Sequence, residues 1–190
     1  MLEKRLLKAN DQERYMKEIY LVKALDNPYI INVIEYFQDK ERLYMIMEYC
    51  KGGELFHEIN EKRKGKDRYT EKQTARLMAQ IFKAVNYLHQ NSIIHRDIKP
   101  DNIMYVHNGE GHKNGRVKLI DFGTSTKFVP GEKLHDLYGT AYYMAPEMIK
   151  GQYTESSDVW SCGVILYTML MGKVPFDGFS EKEIFRNILN

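Results

Sequence analysis

Polar side chains that could carry out chemistry are concentrated in two short strings of the sequence. The first is His-Arg-Asp-Ile-Lys-Pro-Asp-Asn at residues 95–102, and the second is Asp-Phe-Gly at residues 121–123, which directly follows an apolar run. A metal hydrolase could use Asp97, Asp121 and His95, but this interpretation lacks a third convergent ligand and a spacing that would activate a water molecule. An Asp and a Gly at one strand exit are weak evidence by themselves.

The order of the strings along the chain is more specific than either string. Ala-Pro-Glu follows at residues 145–147, at the far end of an intervening loop, and a chance occurrence of all three in this order is improbable. Over essentially its whole length, the sequence resembles the eukaryotic serine/threonine protein kinases, most closely the calcium/calmodulin-dependent group. The string Gly-Thr-Ala-Tyr-Tyr-Met-Ala-Pro-Glu at 139–147 favours the calcium-dependent protein kinases within that group.

The resemblance implies catalytic roles for four residues of the two strings. Asp97 would accept a hydrogen bond from the substrate hydroxyl and align it for attack on the γ-phosphorus, and Lys99 would approach the transferring phosphoryl group. Asn102 and Asp121 would supply oxygen ligands to Mg²⁺, which offsets the charge of the ATP phosphates. The implied activity is that of a transferase, which moves a phosphoryl group from ATP to Ser or Thr of protein substrates.

Residues 44–49 resemble the last strand of a kinase small lobe and the start of the hinge. Met47 then matches the gatekeeper, and the backbone of Glu48 and Cys50 would hydrogen-bond the adenine edge. Glu18 matches the helix glutamate that pairs with a lysine on an upstream strand. Considered without the family, Met47 lies on one face of a half-buried strand, and Glu18 is an exposed carboxylate on a helix. For Met47, both interpretations can hold together.

Acidic residues near the implied cleft predict a preference for basic substrates. Glu54 follows the hinge glycines, where related kinases hold a substrate arginine, and Asp101 takes the place of a second such acid. An Arg-x-x-Ser/Thr substrate is expected because guanidinium–carboxylate pairs are specific in geometry. Lys99 and the run that contains Thr140 favour serine or threonine over tyrosine as the phosphate acceptor.

Residues 134–144 match the activation loop and substrate-docking segment of a kinase. Many kinases carry a phosphorylated threonine nine residues before Ala145, and Asp136 occupies that position here. A permanent carboxylate could pair with Arg96 and order the loop without phosphorylation. The alternative is a solvent-facing Asp in a mobile loop. Asp158 is expected to brace the backbone of the catalytic loop.

Hydrophobic periodicity predicts the elements that must position these residues. We predict helices at 13–25, 54–60, from the Thr70–Gln73 capping box through Leu88, at 159–171 and at 181–189, with strands at 29–37, 42–49 and 117–120 and a solvated loop at 61–68. The predicted fold class is α+β, in the two-lobed arrangement of a protein kinase. Residues 1–49 would form an incomplete small lobe of one helix and two strands, and residues 50–190 a mostly helical large lobe without its final helices.

Composition excludes several classes of protein. Lys and Arg number 28 against 26 Asp and Glu, so net charge gives no reason to expect binding to nucleic acid or a membrane. The most apolar segment, at 159–171, is too short for a membrane span. Cys50 and Cys162 suggest neither a disulfide framework nor a zinc site. The start of the sequence does not resemble a signal peptide, and a cytoplasmic location is expected.

The sequence departs from the family near its beginning. It does not contain the glycine-rich strand-loop-strand or the upstream lysine, and Met1 falls immediately after the expected position of that lysine. Residues 2–5 are predicted to connect to the first helix, and neither Lys4 nor Lys8 follows an apolar strand as a substitute lysine would. A two-stranded small lobe would leave four apolar side chains without a covering layer. These are Ile31, Val33, Tyr44 and Ile46.

A second departure concerns Glu147, which in kinases pairs with a buried arginine near the end of the domain. Arg186 lies too early to be that partner, so Glu147 is expected to be an unpaired buried carboxylate. We therefore expect an excerpt of a kinase domain that is inactive alone, with a calcium-sensing domain or calmodulin as a partner outside this chain. The alternative is a non-catalytic binding module or natural short form, which would have no chemical need to retain Asp97, Lys99, Asn102 and Asp121.

Overall fold

The computed structural model describes residues 2–3, 9–107 and 115–190. The small lobe contains a three-stranded antiparallel sheet of β1 (Leu2–Glu3), β2 (Val33–Gln38) and β3 (Arg42–Met47), in the order β1-β3-β2. Helix α1 (Ala9–Lys23) packs against β2. In the turn between β2 and β3, Asp39 Oδ1 accepts hydrogen bonds from the backbone N–H groups of Glu41 and Arg42, both at 2.7 Å, which fixes the hairpin.

The antiparallel pair predicted from the sequence is confirmed, but three details of this lobe were predicted wrongly. Leu2–Glu3 forms a strand against β3 instead of part of a connection, so the sheet has three strands and not two. The first helix begins at Ala9 and ends at Lys23. The first part of the strand predicted at 29–37 does not join the sheet: Ile31 N donates to Leu119 O at 3.0 Å, which connects this segment to the large lobe. Met1, Lys4 and Lys8 lie outside the described residues.

The large lobe is built around two long helices that pack against each other, α3 (Glu71–Gln90) and α5 (Ser156–Met171). The other helices are α2 (Leu55–Lys64), α4 (Pro146–Ile149) and α6 (Glu181–Leu189). Two short antiparallel pairs carry the connecting loops: β4 (Ile93–Ile94) with β7 (Thr126–Lys127), and β5 (Ile103–Tyr105) with β6 (Val117–Leu119). The whole chain is therefore α+β, as predicted.

Local signals predicted these helices unequally well. The capping box is present, because Thr70 Oγ1 accepts from Gln73 N at 3.2 Å and Gln73 Oε1 accepts from Thr70 N at 3.0 Å. The loop predicted at 61–68 is wrong in its first half, since α2 continues through Lys64. The basic residues in the last turn of α2 interact favourably with the helix dipole. Lys64 Nζ lies 2.7 Å from Glu61 Oε1.

One hydrophobic core joins the two lobes. Val22 of α1 and Val33 of β2 pack in the same cluster as Leu119 of β6 and Ile165 of α5. The expectation that Ile31 and Val33 lack a covering layer is therefore wrong, because both are buried. Ile46, in contrast, is 42% exposed.

Two further findings concern the large lobe. Glu147 is partly buried rather than buried, so the predicted burial of this carboxylate is wrong, and Arg186 pairs with Glu183 at 3.4 Å. Within the part of the chain that the structure describes, no helix combines the length and the apolar character needed to cross a membrane.

Candidate active site

Four polar side chains meet where the loop after β4 approaches the loop before α4. Lys99 Nζ lies 2.8 Å from Asp97 Oδ2. Thr140 Oγ1 donates to Asp97 Oδ1 at 2.8 Å and accepts from Lys99 Nζ at 2.9 Å. Asn102 Nδ2 donates to Asp97 O at 2.9 Å and to Asp97 Oδ2 at 3.3 Å. The structure thus brings together four residues that the sequence predicted to act at one site.

Local backbone chemistry shapes this loop. Pro100 begins a short 3₁₀ turn over Pro100–Asn102, and Asn102 N closes it by donating to Lys99 O at 3.0 Å. The fixed φ of proline suits the first position of such a turn. Ile98 and Ile103 are fully buried on either side and anchor the loop to the core. The polar side chains are therefore held on a rigid support.

Asp158, at the start of α5, braces the same loop, as the sequence predicted. Its side chain is 1% exposed and accepts from His95 N and Arg96 N, both at 2.9 Å. Arg96 has φ = 71° and Asp121 has φ = 60°, both in the left-handed region. Such positions cost on the order of 1–3 kcal/mol for residues with side chains. For Arg96, the hydrogen bond from its own N–H to Asp158 and the neighbouring one from His95 N offset this cost.

His95 has a structural role that the sequence analysis did not predict. Its Nδ1 accepts from Asp97 N at 3.3 Å, and its Nε2 donates to Ile120 O at 3.2 Å, which is the arrangement of a neutral imidazole. Burial lowers the pKa of His95 and favours this neutral form. Both ring nitrogens are occupied, so His95 is not placed to bind a metal ion. The residue instead connects the catalytic loop to the strand that leads to Asp121.

The Asp-Phe-Gly turn lies next to the catalytic loop, because Ile120 N donates to Asn102 O at 2.9 Å. Gly123 N donates to Asp121 Oδ1 at 3.2 Å. The Phe122 side chain is buried, and its ring centroid lies 5.0 Å from that of His95 in an edge-to-face arrangement. A Cβ atom at Gly123 would lie 3.2 Å from Asp121 Oδ1 and 3.5 Å from Glu18 Oε2. The predicted helix glutamate, Glu18, therefore reaches this turn.

A cavity of about 380 Å³ extends from this turn to the hinge. Its walls include the predicted gatekeeper Met47 together with Glu48, Cys50, Glu18 and Asp121, and the remaining lining is mostly apolar. Among the described residues, no hydrogen bond uses the carbonyl of Glu48 or the N–H of Cys50. These groups can pair with a planar heterocycle, and a flat apolar cavity of this size suits one.

The Glu48 side chain forms a partly buried ion pair with Lys118. Glu48 Oε1 lies 2.6 Å from Lys118 Nζ and accepts from Asn32 N at 2.6 Å. Lys118 Nζ also donates to Ile30 O at 3.0 Å. The sequence analysis missed Lys118, although a lysine in the apolar strand β6 was a signal that its charge needs a partner.

The donor set at the cleft fits Mg²⁺ only in combination with phosphate oxygens. Asn102 Oδ1 and the Asp121 carboxylate are hard oxygen ligands. In residues 15–107 and 115–190, no cluster of three or more His, Cys, Asp or Glu side chains could hold a metal ion. A magnesium site with few protein ligands is typical of nucleotide enzymes, because the phosphates supply the remaining oxygens.

The two predicted substrate-binding acids lie on adjacent elements. Glu54 is exposed at the N-terminus of α2, and Asp101 lies in the 3₁₀ turn of the catalytic loop. Helix α2 packs directly against that turn. The two residues therefore lie on neighbouring elements, although no contact joins their carboxylates.

The predicted regulatory pair is present but weak. Arg96 Nη1 lies 3.8 Å from Asp136 Oδ2, and the Asp136 side chain is 75% exposed. Arg96 Nε donates to Thr124 O, and its guanidinium lies 4.2 Å from the centre of the Tyr138 ring. An ion pair with one solvated partner is screened and contributes at most about 1 kcal/mol. Most of the order of the Arg96 side chain comes from its other neighbours.

Comparison with known proteins gives a consistent result. The family described as "Protein kinase domain" matches residues 1–190. Calcium-dependent protein kinase 5 of Plasmodium berghei is 39% identical over 181 residues, which is 95% of this chain and 31% of that protein. Calcium-dependent protein kinase 4 of Plasmodium falciparum is 39% identical over 186 residues, or 98% of this chain and 34% of that protein.

A probable myosin light chain kinase of Dictyostelium discoideum is 39% identical over 190 residues, the full length of this chain and 47% of that protein. The chain therefore spans about a third to a half of the length of these relatives.

Proposed function

This chain belongs to the protein kinase domain family, with calcium-dependent protein kinases among its relatives, and we propose that its cleft transfers the γ-phosphoryl group of ATP to Ser or Thr of protein substrates. One observation carries the proposal. The Asp97 carboxylate is held by Lys99, Thr140 and Asn102, and Ile120 N, next to Asp121, donates to Asn102 O at 2.9 Å. This convergence of charged and polar groups supports phosphoryl transfer.

Each of these side chains has a distinct task in the proposed reaction. Bound MgATP supplies the phosphoryl group and the divalent charge that offsets the phosphates. Asp97 retains acceptor capacity beyond its bonds to Thr140 and Lys99, and uses it to orient the substrate hydroxyl. Lys99, held 2.8 Å from Asp97, presents positive charge at the point of transfer. The arrangement acts through positioning and electrostatics, which dominate phosphoryl transfer.

Asn102 and Asp121 are the proposed metal ligands, and both are positioned by the backbone. Asn102 Nδ2 is engaged with Asp97, which directs its Oδ1 oxygen elsewhere. Asp121 lies in the cavity that ends at Glu48 and Cys50, whose backbone groups are the proposed partners of adenine. Glu18 and Met47 complete the proposed nucleotide pocket.

Substrate preference follows from charge. We assign Glu54 and Asp101 to a substrate arginine, which gives an Arg-x-x-Ser/Thr preference, and Thr140 to the acceptor side of the cleft. Two of the relatives are named calcium-dependent, and all three are two to three times longer than this chain. A calcium-sensing domain or calmodulin outside residues 1–190 is therefore the proposed regulator. The proposed lobes are residues 1–49 and 50–190, in a cytoplasmic protein.

Because residues 1–190 are expected to be inactive alone, phosphotransfer to an Arg-x-x-Ser peptide is measured in a longer protein that contains this chain and the upstream glycine-rich strand-loop-strand. Combined with thermal melting in MgATP, it tests the proposal. Asp97→Asn should lower transfer by roughly 100-fold or more, while the rise in melting temperature that MgATP causes should persist, because Asp97 is not a proposed metal ligand. The matched control is Asp67→Asn, at an exposed carboxylate between α2 and α3. Equal transfer by the Asp97 variant contradicts the proposal. Melting stabilisation without any transfer supports a binding module instead.

A further inference from the structure

A buried tyrosine fastens the activation loop to the large lobe. Tyr153 lies between α4 and α5 and is 1% exposed. Leu134 N donates to Tyr153 O at 2.8 Å, and Tyr153 N donates to Leu134 O at 3.1 Å. The Tyr153 hydroxyl donates to Asp136 O at 2.8 Å. Three hydrogen bonds thus join one residue of the lobe to two residues at the start of the loop, Leu134 and Asp136.

Neighbouring contacts hold the same segment against residues 151–153. His135 Nδ1 lies 2.9 Å from Gly151 O, and Lys133 Nζ donates to Gln152 Oε1 at 3.2 Å. Both contacts are solvent-exposed, whereas the Tyr153 ring is enclosed by the core. The tyrosine is therefore the buried part of the attachment.

Tyr153 also contacts the catalytic loop. Arg96 Nη1 donates to Tyr153 Oη at 3.5 Å, so the phenol bridges the residue before Asp97 and the activation loop. Burial raises the pKa of Tyr153, which keeps the phenol protonated and able to donate at neutral pH. The bridge uses neutral groups on the tyrosine side and requires no phosphate.

The Asp136 carboxylate is a weaker candidate for the same task. It lies 3.8 Å from Arg96 Nη1 and is 75% exposed, so water and salt screen its charge. The Tyr153 bond reaches the backbone carbonyl of Asp136, not its side chain. A substitution of the carboxylate therefore leaves the tyrosine contact in place.

We propose that Tyr153, rather than the Asp136 carboxylate, is the positioning residue that holds the activation loop so that Thr140 meets Asp97. This inference rests on the proposed function, because Thr140 and Asp97 form part of the proposed catalytic site. Only four positions separate Asp136, whose carbonyl Tyr153 holds, from Thr140, so a shift at the anchor is transmitted over a short length of chain.

Amide hydrogen exchange of residues 133–140 tests the anchor without requiring catalysis. Tyr153→Phe removes one hydroxyl and should accelerate exchange in this segment by about threefold to tenfold, the loss expected for one hydrogen bond. Asp136→Ala should change it by less than about twofold. The matched control is Tyr69→Phe, which removes another buried hydroxyl, 2.9 Å from Tyr105 Oη. This control should match Tyr153→Phe in melting temperature but leave exchange in the loop unchanged.

Two exchange results overturn the proposal. One is unchanged exchange in Tyr153→Phe; the other is acceleration in Asp136→Ala that equals or exceeds the effect of Tyr153→Phe. Asp136→Ala alters only an exposed side chain, so its result decides between the two residues even if a tyrosine variant folds poorly.

Steady-state kinetics of the longer protein that contains residues 1–190 separate positioning from loss of folded protein. In Tyr153→Phe, the KM for the Arg-x-x-Ser peptide should rise about threefold to tenfold while the KM for MgATP stays within twofold, because the nucleotide cavity does not contact Tyr153. A smaller fraction of active protein would lower kcat and leave both KM values unchanged, and that result contradicts positioning. If no variant transfers phosphate, the proposed function fails, and the exchange result still decides whether Tyr153 anchors the loop.

Discussion

The catalytic loop and the hinge are stabilised in different ways. In the catalytic loop, Asp97 has three side-chain partners, and the buried Asp158 carboxylate accepts two backbone N–H groups. At the hinge, Met47 is 43% exposed, and one ion pair between Glu48 and Lys118 joins the strand end to the large lobe. The loop is held by several contacts that act together, whereas the hinge depends on few.

This difference predicts where substitutions destabilise the fold and where they change ligand binding. In the catalytic loop, Arg96 has an unfavourable left-handed backbone conformation. A buried hydrogen bond from Arg96 N to Asp158 stabilises it. Removal of the hydrogen bonds to Asp158 should unfold the large lobe. The hinge borders an open cavity, so changes there should cost less stability.

The largest expected effect is at Asp158. Asp158→Ala should lower the free energy of unfolding by about 3–5 kcal/mol, because two buried N–H groups lose their acceptor. Chemical denaturation measures this loss in the free energy of unfolding. Asp39→Ala is the matched control: its carboxylate also accepts two backbone N–H groups, but in an exposed turn where water can replace it, so the loss should be clearly smaller than that of Asp158→Ala. Equal losses in the two variants contradict the proposed contrast between the regions.

A smaller effect is expected at the hinge ion pair. Lys118→Met should cost about 1–2 kcal/mol, less than a fully buried pair, because the Glu48 side chain remains 29% exposed and keeps the Asn32 N–H. A double-mutant cycle with Glu48→Gln, measured by denaturation, should give a coupling free energy of about 1 kcal/mol. A coupling free energy near zero would show that the ion pair does not stabilise the hinge. A loss in the free energy of unfolding greater than that of Asp158→Ala would contradict the contrast between the two regions.

The sequence predicted those parts of the fold that have strong local signals. Helix α6 spans 181–189 as predicted, and the Thr70 capping box marks the start of α3. Leu2–Glu3 could not be identified as a strand, because two residues carry no periodic pattern and the pairing depends on β3. The end of α2 was missed because a run of charged residues suits both a helix and a loop.

The residues of the candidate site likewise include some that the sequence predicted and some that it missed. The order of three motifs along the chain carried the resemblance to protein kinases, and that resemblance implied that Asp97 and Asp121 act at one site. Lys118 was missed because its partner Glu48 lies 70 positions away, and the contact exists only after the lobes pack. Tyr153 was missed because its anchor bond goes to a backbone carbonyl, which no side-chain pattern reveals.

Nucleotide-dependent binding of Mn²⁺, used as a paramagnetic substitute for Mg²⁺, tests the central claim most directly. The claim is that Asn102 and Asp121 converge on one divalent ion beside a nucleotide phosphate. Titration of ADP and Mn²⁺, followed by water proton relaxation, should show a ternary complex that Asp121→Asn weakens about tenfold or more. Asp97→Asn, at a carboxylate not assigned to the metal, should stay within about threefold. Equal Mn²⁺ affinity in Asp121→Asn and the unmodified chain would contradict the account.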